Sequence, residues 1–100
     1  MGSRRKPAVI IHPSDNVATA LQVIPQGTCI FLKKGGKAWR IVVCEEIPMG
    51  HKFSLSRVEK GGRIIKYGET IGIATTHIDI GYHVHIHNLE SRRGRGDLEE

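Results

Sequence analysis

The sequence predicts a mostly β domain of short strands that fold back at glycine corners, together with one short helix. Pieces of four to seven residues with β-forming character follow one another along the 100-residue chain, and glycines separate most of them. No long helix alternates with these pieces, which excludes a doubly wound parallel sheet. A third observation is an apolar residue followed by two residues and a glycine, which recurs at Ile24–Gly27, Ile47–Gly50, Val58–Gly61 and Ile78–Gly81. We interpret each unit as a tight turn whose apolar residue enters the core and whose glycine takes a positive φ before the next strand.

The first third of the chain predicts a basic leader, a strand and the helix. Residues 1–7 are polar and basic and end in proline, so we expect a loose tail before the folded domain. Ala8–His12 is a β-type run. Ser14 or Asp15 can cap a helix, and about two to three helical turns are predicted by the spacing of Val17, Ala20, Leu21 and Ile24.

The remainder predicts a hairpin, four short strands and a polar tail. Thr28–Leu32 and Ala38–Cys44 would pair across Lys33–Lys37, because the Gly-Gly pair of that segment accepts the positive φ angles of a tight turn. The further β-like pieces are Lys52–Leu55, Arg63–Tyr67, Thr70–Ala74 and Tyr82–His87. The sequence becomes polar after Asn88, so we place the folded domain at residues 8–90 and a tail or linker at residues 91–100.

Hydropathy and cysteine content exclude two classes of protein. The longest apolar runs, Ala8–Ile11 and Ile41–Cys44, have four residues each, whereas a membrane-spanning helix needs about 20. The basic start is not followed by the apolar stretch of a secretory signal. We therefore expect a cytoplasmic protein without a membrane segment, in which Cys29 and Cys44 are reduced thiols.

The net charge of +5 does not predict a nucleic-acid partner. Arg4, Arg5 and Lys6 carry most of the excess, whereas residues 7–91 hold nine Lys or Arg against seven Asp or Glu. The charges of residues 92–100 cancel. Since the folded part needs no basic face, the distribution argues against nucleic acid.

The segment His83–Asn88 is the most conspicuous candidate site. Side chains alternate across a strand, so its three histidines would share one face while Val84 and Ile86 enter the core. We take His85 and His87, beside Asn88, as candidate catalytic residues, and the alternative is a solvated strand face that is rich in histidine. A complete metal site is not predicted, because few acidic residues lie nearby and zinc needs three or four ligands.

Two further groups are candidates for binding substrate. His12, Asp15 and Asn16 bring an imidazole, a carboxylate and an amide to one corner, although Asp or Asn there is also ordinary helix capping. His51 and Lys52 follow a turn and combine an imidazole with an ammonium, which suits an anionic ligand such as a carboxylate. The alternative for this pair is an exposed basic loop.

Several ordered motifs resemble the N-terminal SAF domain of altronate and galactarate dehydratases. The resemblance covers about residues 9–88, and its pieces are Asp15-Asn16-Val17 with Ala20-Leu21, Ile24-x-x-Gly27, Ile47-Pro48-x-Gly50-His51-Lys52, Lys66-Tyr67-Gly68-Glu69-x-Ile71-Gly72-x-Ala74, Ile78-x-x-Gly81 and Val84-His85-x-His87-Asn88. The Lys-Tyr-Gly and His-x-His-Asn pieces are the most diagnostic. The basic leader departs from the family pattern, and His83 matches no family position.

This resemblance implies a β-clip fold and a share in a sugar-acid dehydratase. In that family the SAF domain is either the front of a long chain or a separate small subunit, and members act on hexonates or hexarates with a divalent metal, often ferrous iron. We expect the chain to lend side chains, with Asn88 binding substrate beside the two histidines, to a site that a large catalytic subunit or domain completes. The isolated chain would then be inactive, and the metal would not have to be bound by this chain.

Two alternatives remain open. The small subunit of sulfolactate sulfo-lyase has the same motifs and releases sulfite instead of water. The chain would otherwise be a non-catalytic module that binds a sugar, a protein or RNA. The oligomeric state is not determined by the sequence, and a homo-oligomer is compatible with it.

Overall fold

The computed structural model describes residues 7–34 and 36–91, which form nine β-strands and no helix. Residues 1–6 of the predicted leader and residues 92–100 of the predicted tail lie outside the described residues. The strands are β1 (Ala8–Val9), β2 (Val17–Ala20), β3 (Cys29–Lys34), β4 (Lys37–Val42), β5 (Lys52–Ser54), β6 (Arg63–Lys66), β7 (Glu69–Ala74), β8 (His83–Val84) and β9 (Leu89–Ser91). No helix of the described segments has the length and hydropathy to cross a bilayer.

All strand pairs among the described residues are antiparallel. A central sheet has the order β1-β2-β5-β8, β3 and β4 form a separate hairpin, and β7 lies between β6 and β9 in the third sheet. The mostly β prediction and the predicted hairpin are therefore confirmed.

The four predicted corners share one geometry. Their glycines have φ between 83° and 89°, and in each corner the residue after the glycine donates its N–H to the carbonyl three residues earlier. The apolar first residues pair by reciprocal backbone hydrogen bonds, Ile24 with Ile47 and Val58 with Ile78. All four are at most 5% exposed, so the prediction that they enter the core is confirmed. A fully buried Ile or Val contributes about 1.5–3 kcal/mol of hydrophobic stabilisation.

The core has two parts, and each contains one of these pairs. The first part surrounds Phe53 and contains Ile24 and Ile47, whereas the second contains Val58, Ile78 and members of the central sheet. The central sheet joins the two parts, because Ala18 belongs to the first part and Val17 and Val84 belong to the second. This arrangement fixes the end of β5, where the candidate site lies.

The predicted helix is wrong. Val17–Ala20 is instead strand β2, hydrogen-bonded to β1 on one side and to β5 on the other, and Leu21 is exposed. Pairing on both edges satisfies the backbone of β2 without a helix, and the β-branched Val17 and Thr19 suit it. Ile24 completes the helical spacing of apolar residues in the sequence, but in the structure it belongs to a glycine corner.

Two predicted strands are shorter than expected. Ala8–His12 contributes only β1, and the strand predicted at Tyr82–His87 ends at Val84. Val84 is fully buried, as predicted, but Ile86 is 83% exposed and does not enter the core. A turn over residues 85–88 replaces the end of the strand, so alternation fails after Val84.

Candidate functional site

The side chains of three histidines, His51, His83 and His85, converge where β5 pairs with β8 and form what we call the histidine cluster. Lys52 lies opposite Val84 in this ladder and Phe53 lies opposite His83. One residue farther along, the antiparallel register brings His51 opposite His85, and their rings stack with centroids 3.9 Å apart. Sequence reasoning placed His51 in a separate group because 32 residues separate it from His83.

His83 belongs to the same cluster. Its Nε2 lies 2.8 Å from His51 Nδ1, and its ring centroid lies 5.5 Å from that of His85. His87 is exposed, and its tilted ring lies 5.1 Å from that of His83. The rings of His83, His85 and His87 therefore lie close together as predicted, but a turn brings them together instead of a continuous strand. His83 lies as centrally in this group as His85 and His87.

Asn88 closes the turn that carries His85 and His87. The side chain is 6% exposed, and its Oδ1 accepts a hydrogen bond from the backbone N–H of His85 while its Nδ2 donates to the carbonyl of His83. The carboxylate of Glu45 accepts a hydrogen bond from the backbone N–H of His83. The amide of Asn88 thus holds the histidine cluster in place, which makes Asn88 a positioning residue in this structure.

The surroundings of His83 and His85 favour their neutral imidazole forms. Burial lowers the pKa of His83 first, repulsion from His87, His51 and His85 lowers it further, and Glu45 acts in the opposite direction. Burial also lowers the pKa of His85, with additional repulsion from His51, Lys52 and His87. Neutral imidazole nitrogen is the form that binds a metal ion.

The donor set of the cluster fits a divalent transition metal. The ligand nitrogens of His51, His83 and His85 all lie within 4.8 Å of one another. Imidazole suits iron, zinc, copper and nickel, whereas magnesium and calcium take oxygen ligands. An ion about 2.1 Å from each nitrogen would hold its ligands about 3–3.4 Å apart, so the stacked rings would turn toward it. Three protein ligands leave further coordination positions for a substrate or a partner residue.

Lys52 lies between the histidine cluster and the β6–β7 hairpin. The side chain is half-buried, and burial followed by repulsion from Lys66 lowers the pKa of Lys52. The sequence motif that contains Lys66 does not predict a site there, because the approach of Lys66 to Lys52 depends on the tertiary fold.

His12, Asp15 and Asn16 form a separate group that fastens the first loop to the β6–β7 hairpin. Asp15 is fully buried, and its two carboxylate oxygens accept hydrogen bonds from the backbone N–H groups of His12 and Gly68. The amide of Asn16 donates to the carbonyl of Arg63 and accepts from the N–H of Ile65. These contacts give Asp15 and Asn16 a structural role. Asp15 therefore does not cap a helix, the alternative that the sequence allows for it.

His12 is exposed and lies against the turn at the end of that hairpin. Its Nδ1 accepts a hydrogen bond from the backbone N–H of Ser14, and its ring atoms would lie 3.0 Å from a Cβ placed on Gly68. The structure therefore keeps His12 beside Gly68 rather than in the histidine cluster.

Comparison with known families gives a match along most of the chain. Residues 6–92 match the family described as altronate/galactarate dehydratase SAF domain. The matched range contains the histidine cluster, Lys52, Lys66 and all four glycine corners.

Individual relatives are of two kinds. The chain is 38% identical over 90 residues to the altronate dehydratase of Escherichia coli and 36% identical over 86 residues to that of Bacillus subtilis. It spans only 17% and 16% of the lengths of those two proteins. It is also 38% identical over 55 residues to (2R)-sulfolactate sulfo-lyase subunit alpha of Paracoccus pantotrophus, of which it covers 82%.

Proposed function

Because the chain belongs to the altronate/galactarate dehydratase SAF domain family, we propose that it is the SAF part of a hydro-lyase acting on a sugar acid. The observation that carries the proposal is the convergence of His51, His83 and His85 at one end of the central sheet. The three grouped ligands are all imidazole nitrogens, and the nearby carboxylate of Glu45 is hydrogen-bonded to the backbone N–H of His83. A larger catalytic subunit or domain would complete the site, in keeping with the small share of the dehydratases that this chain spans.

The chemistry of the proposed reaction matches these side chains. Removing water next to a carboxylate requires a base for the α-proton, stabilisation of the negative charge that develops and an acid for the departing hydroxyl. A divalent metal such as ferrous iron, held by His51, His83 and His85, would supply charge stabilisation. His87 is exposed beside them and can exchange a proton with a bound substrate.

A second candidate is the small subunit of a sulfo-lyase. The observation that favours it is length, because the chain covers 82% of a relative that is itself named a subunit. The same side chains would serve, since sulfite release also begins α to a carboxylate. Product analysis separates the two candidates, because one reaction releases sulfite and the other releases water.

The first experiment tests metal binding by the isolated chain. Cobalt(II) added at pH 7.5 is expected to raise the melting temperature and give the visible absorption of a coordinated ion, because binding stabilises the folded state by mass action. His51→Ala should abolish both effects. His77→Ala is the matched control, since His77 contacts Asp79 and Glu59 outside the cluster. Equal cobalt binding by the two variants would contradict the three-histidine metal site.

The second experiment tests whether turnover requires the large subunit. The chain alone should not turn over altronate or galactarate, with or without ferrous iron, and adding the matching large subunit should produce dehydration. Robust turnover by this chain alone would contradict the dependence on a partner. Absence of any lyase activity in the assembled complex would favour the alternative that the chain is a non-catalytic binding module.

A further inference from the structure

A cleft of about 290 Å³ lies between Lys52 and the β6–β7 hairpin. It is lined by Lys52, Lys66, Tyr67, Ile71, Leu89 and Ser91. Ile71 and Leu89 pack against the second part of the core, so the floor of the cleft is apolar and fixed. The two ammonium groups therefore face a cleft whose shape the core maintains.

Neither lysine of the cleft forms an ion pair within the described part of the chain. Ion pairs among residues 7–34 and 36–91 involve Arg57, Glu59, His77 and Asp79. Both lysines are half-buried, and they repel each other. Two like charges held together at the cost of mutual repulsion form an attractive position for an anion.

Tyr67 provides a second, independent observation. It is the one non-glycine residue of the described chain with a positive φ, 58°, and Gly68 follows with φ 76°. The pair forms the two-residue turn of the β6–β7 hairpin, a turn type that normally prefers Asn-Gly. A bulky residue in such a conformation is strained, and strain of this kind concentrates at ligand-binding sites.

The strained turn is held by its surroundings. Asp15 accepts a hydrogen bond from the backbone N–H of Gly68, and the ring of His12 closes over the same glycine. The result is that the phenol of Tyr67, a hydrogen-bond donor and acceptor, lines the cleft next to Lys66. The Lys66 Nζ lies 5.0 Å from the centroid of the Tyr67 ring.

We propose that this cleft binds a carboxylate of an open-chain polyhydroxy acid between Lys52 and Lys66, with Tyr67 bonding to the carboxylate or to a neighbouring hydroxyl. The inference rests on the proposed function, and it adds Lys66 and Tyr67 as residues that select an anionic substrate. Lys52 repels His85 electrostatically, so an anion held here lies near the histidine cluster. The cleft thus holds the carboxylate end of the substrate near the imidazoles.

The test is a titration of the ¹⁵N-labelled chain followed by NMR. Galactarate is expected to shift amide signals of the cleft, including those of Tyr67 and Leu89, and the neutral polyol galactitol is not. Lys66→Gln should weaken galactarate binding about tenfold or more, because a charge-assisted hydrogen bond is lost. Lys60→Gln is the matched control, since Lys60 is exposed in another turn, and it should change the affinity less than about twofold.

Two further variants distinguish a loss of binding from a loss of folding. Lys66→Arg keeps the charge and should retain binding, whereas Tyr67→Phe should weaken it and leave the spectrum of the fold unchanged. Equal binding of galactitol, equal binding of inorganic phosphate, or unchanged affinity in Lys66→Gln would each overturn the inference.

The outcomes also separate this inference from the proposed function. A chain that binds galactarate in the cleft but never supports turnover would contradict only the proposed function. Turnover by the assembled enzyme with an unchanged KM in Lys66→Gln would contradict only the inference about the cleft.

Discussion

Tyr67 lies in a backbone conformation that its side chain disfavours. The left-handed region costs an ordinary residue about 1–2 kcal/mol, and asparagine tolerates it better. Tyr67→Asn is therefore expected to raise the free energy of unfolding by about 1 kcal/mol, measured by urea denaturation. Tyr67→Phe keeps the strain and serves as the control.

The same substitution should cost function. If the strain is retained for ligand binding, the more stable Tyr67→Asn variant will bind galactarate more weakly than the parent chain. A variant that gains stability and keeps full affinity would show that Tyr67 has no part in the cleft.

The histidines make the stability of the domain depend on pH. The pKa values of His83 and His85 are lowered from the ordinary value of 6.5, so the unfolded chain takes up protons before the folded chain does. Above pH 6.5 both states are neutral at these sites and the difference vanishes. As pH falls through 6.5 the free energy of unfolding should decrease because of these two groups.

Urea denaturation between pH 5 and 8 checks this expectation, and His85→Gln should flatten the acid side of the profile. His77→Gln is a control whose histidine lies beside Asp79 and Glu59 instead of in the cluster. An acid profile that His85→Gln leaves unchanged would argue that His85 is not perturbed in the folded state.

At the scale of elements, the four glycine corners share a backbone conformation but not their surroundings. A Cβ on Gly27 would meet nothing within 4 Å, whereas a Cβ on Gly81 would collide with the carbonyl oxygen of Val42. Gly27→Ala should therefore cost about 1–2 kcal/mol from backbone strain alone, and Gly81→Ala should cost more. Thermal unfolding of the two variants measures the difference, and equal costs would contradict the close packing at Gly81.

The corners could be predicted from the sequence because their signal is local. An apolar residue three positions before a glycine identifies both a residue that is buried in the core and a glycine with positive φ, as Ile47 and Gly50 show. Strand β2 could not be distinguished from a helix, because its identity depends on pairing with β1 and β5. Ile86 was misplaced because the amide of Asn88 closes a turn that periodicity does not reveal.

The candidate site was predictable only in part for the same reason. Histidines spaced two apart indicated that His83, His85 and His87 would gather. His51 and Lys66 reach the site through antiparallel register and through packing between sheets, which no short motif encodes. His83 matches no family position, and the structure nevertheless places it in the cluster with His51 and His85.

At the scale of the whole molecule, the fold repeats an arrangement of corner, hairpin and corner. The β3–β4 hairpin lies between the corners of Ile24 and Ile47, and the β6–β7 hairpin lies between those of Val58 and Ile78. The two halves differ in chemistry, because only the second hairpin brings a lysine to the cleft. The site needs both halves, since β5, β8 and the β6–β7 hairpin each supply a part of it.

Removing single histidines from the assembled enzyme provides the last prediction. A group that stabilises charge mainly in the transition state lowers turnover when it is lost, by about 10²–10³-fold. His85→Ala and His87→Ala should each lower kcat by about this factor, and the central place of His83 in the cluster predicts an equal loss for His83→Ala. Metal content distinguishes their roles, because His83→Ala and His85→Ala should lose the ion while His87→Ala, outside the three ligands, should retain it. Retention of the metal by all three variants would mean that the cluster acts through its imidazoles alone.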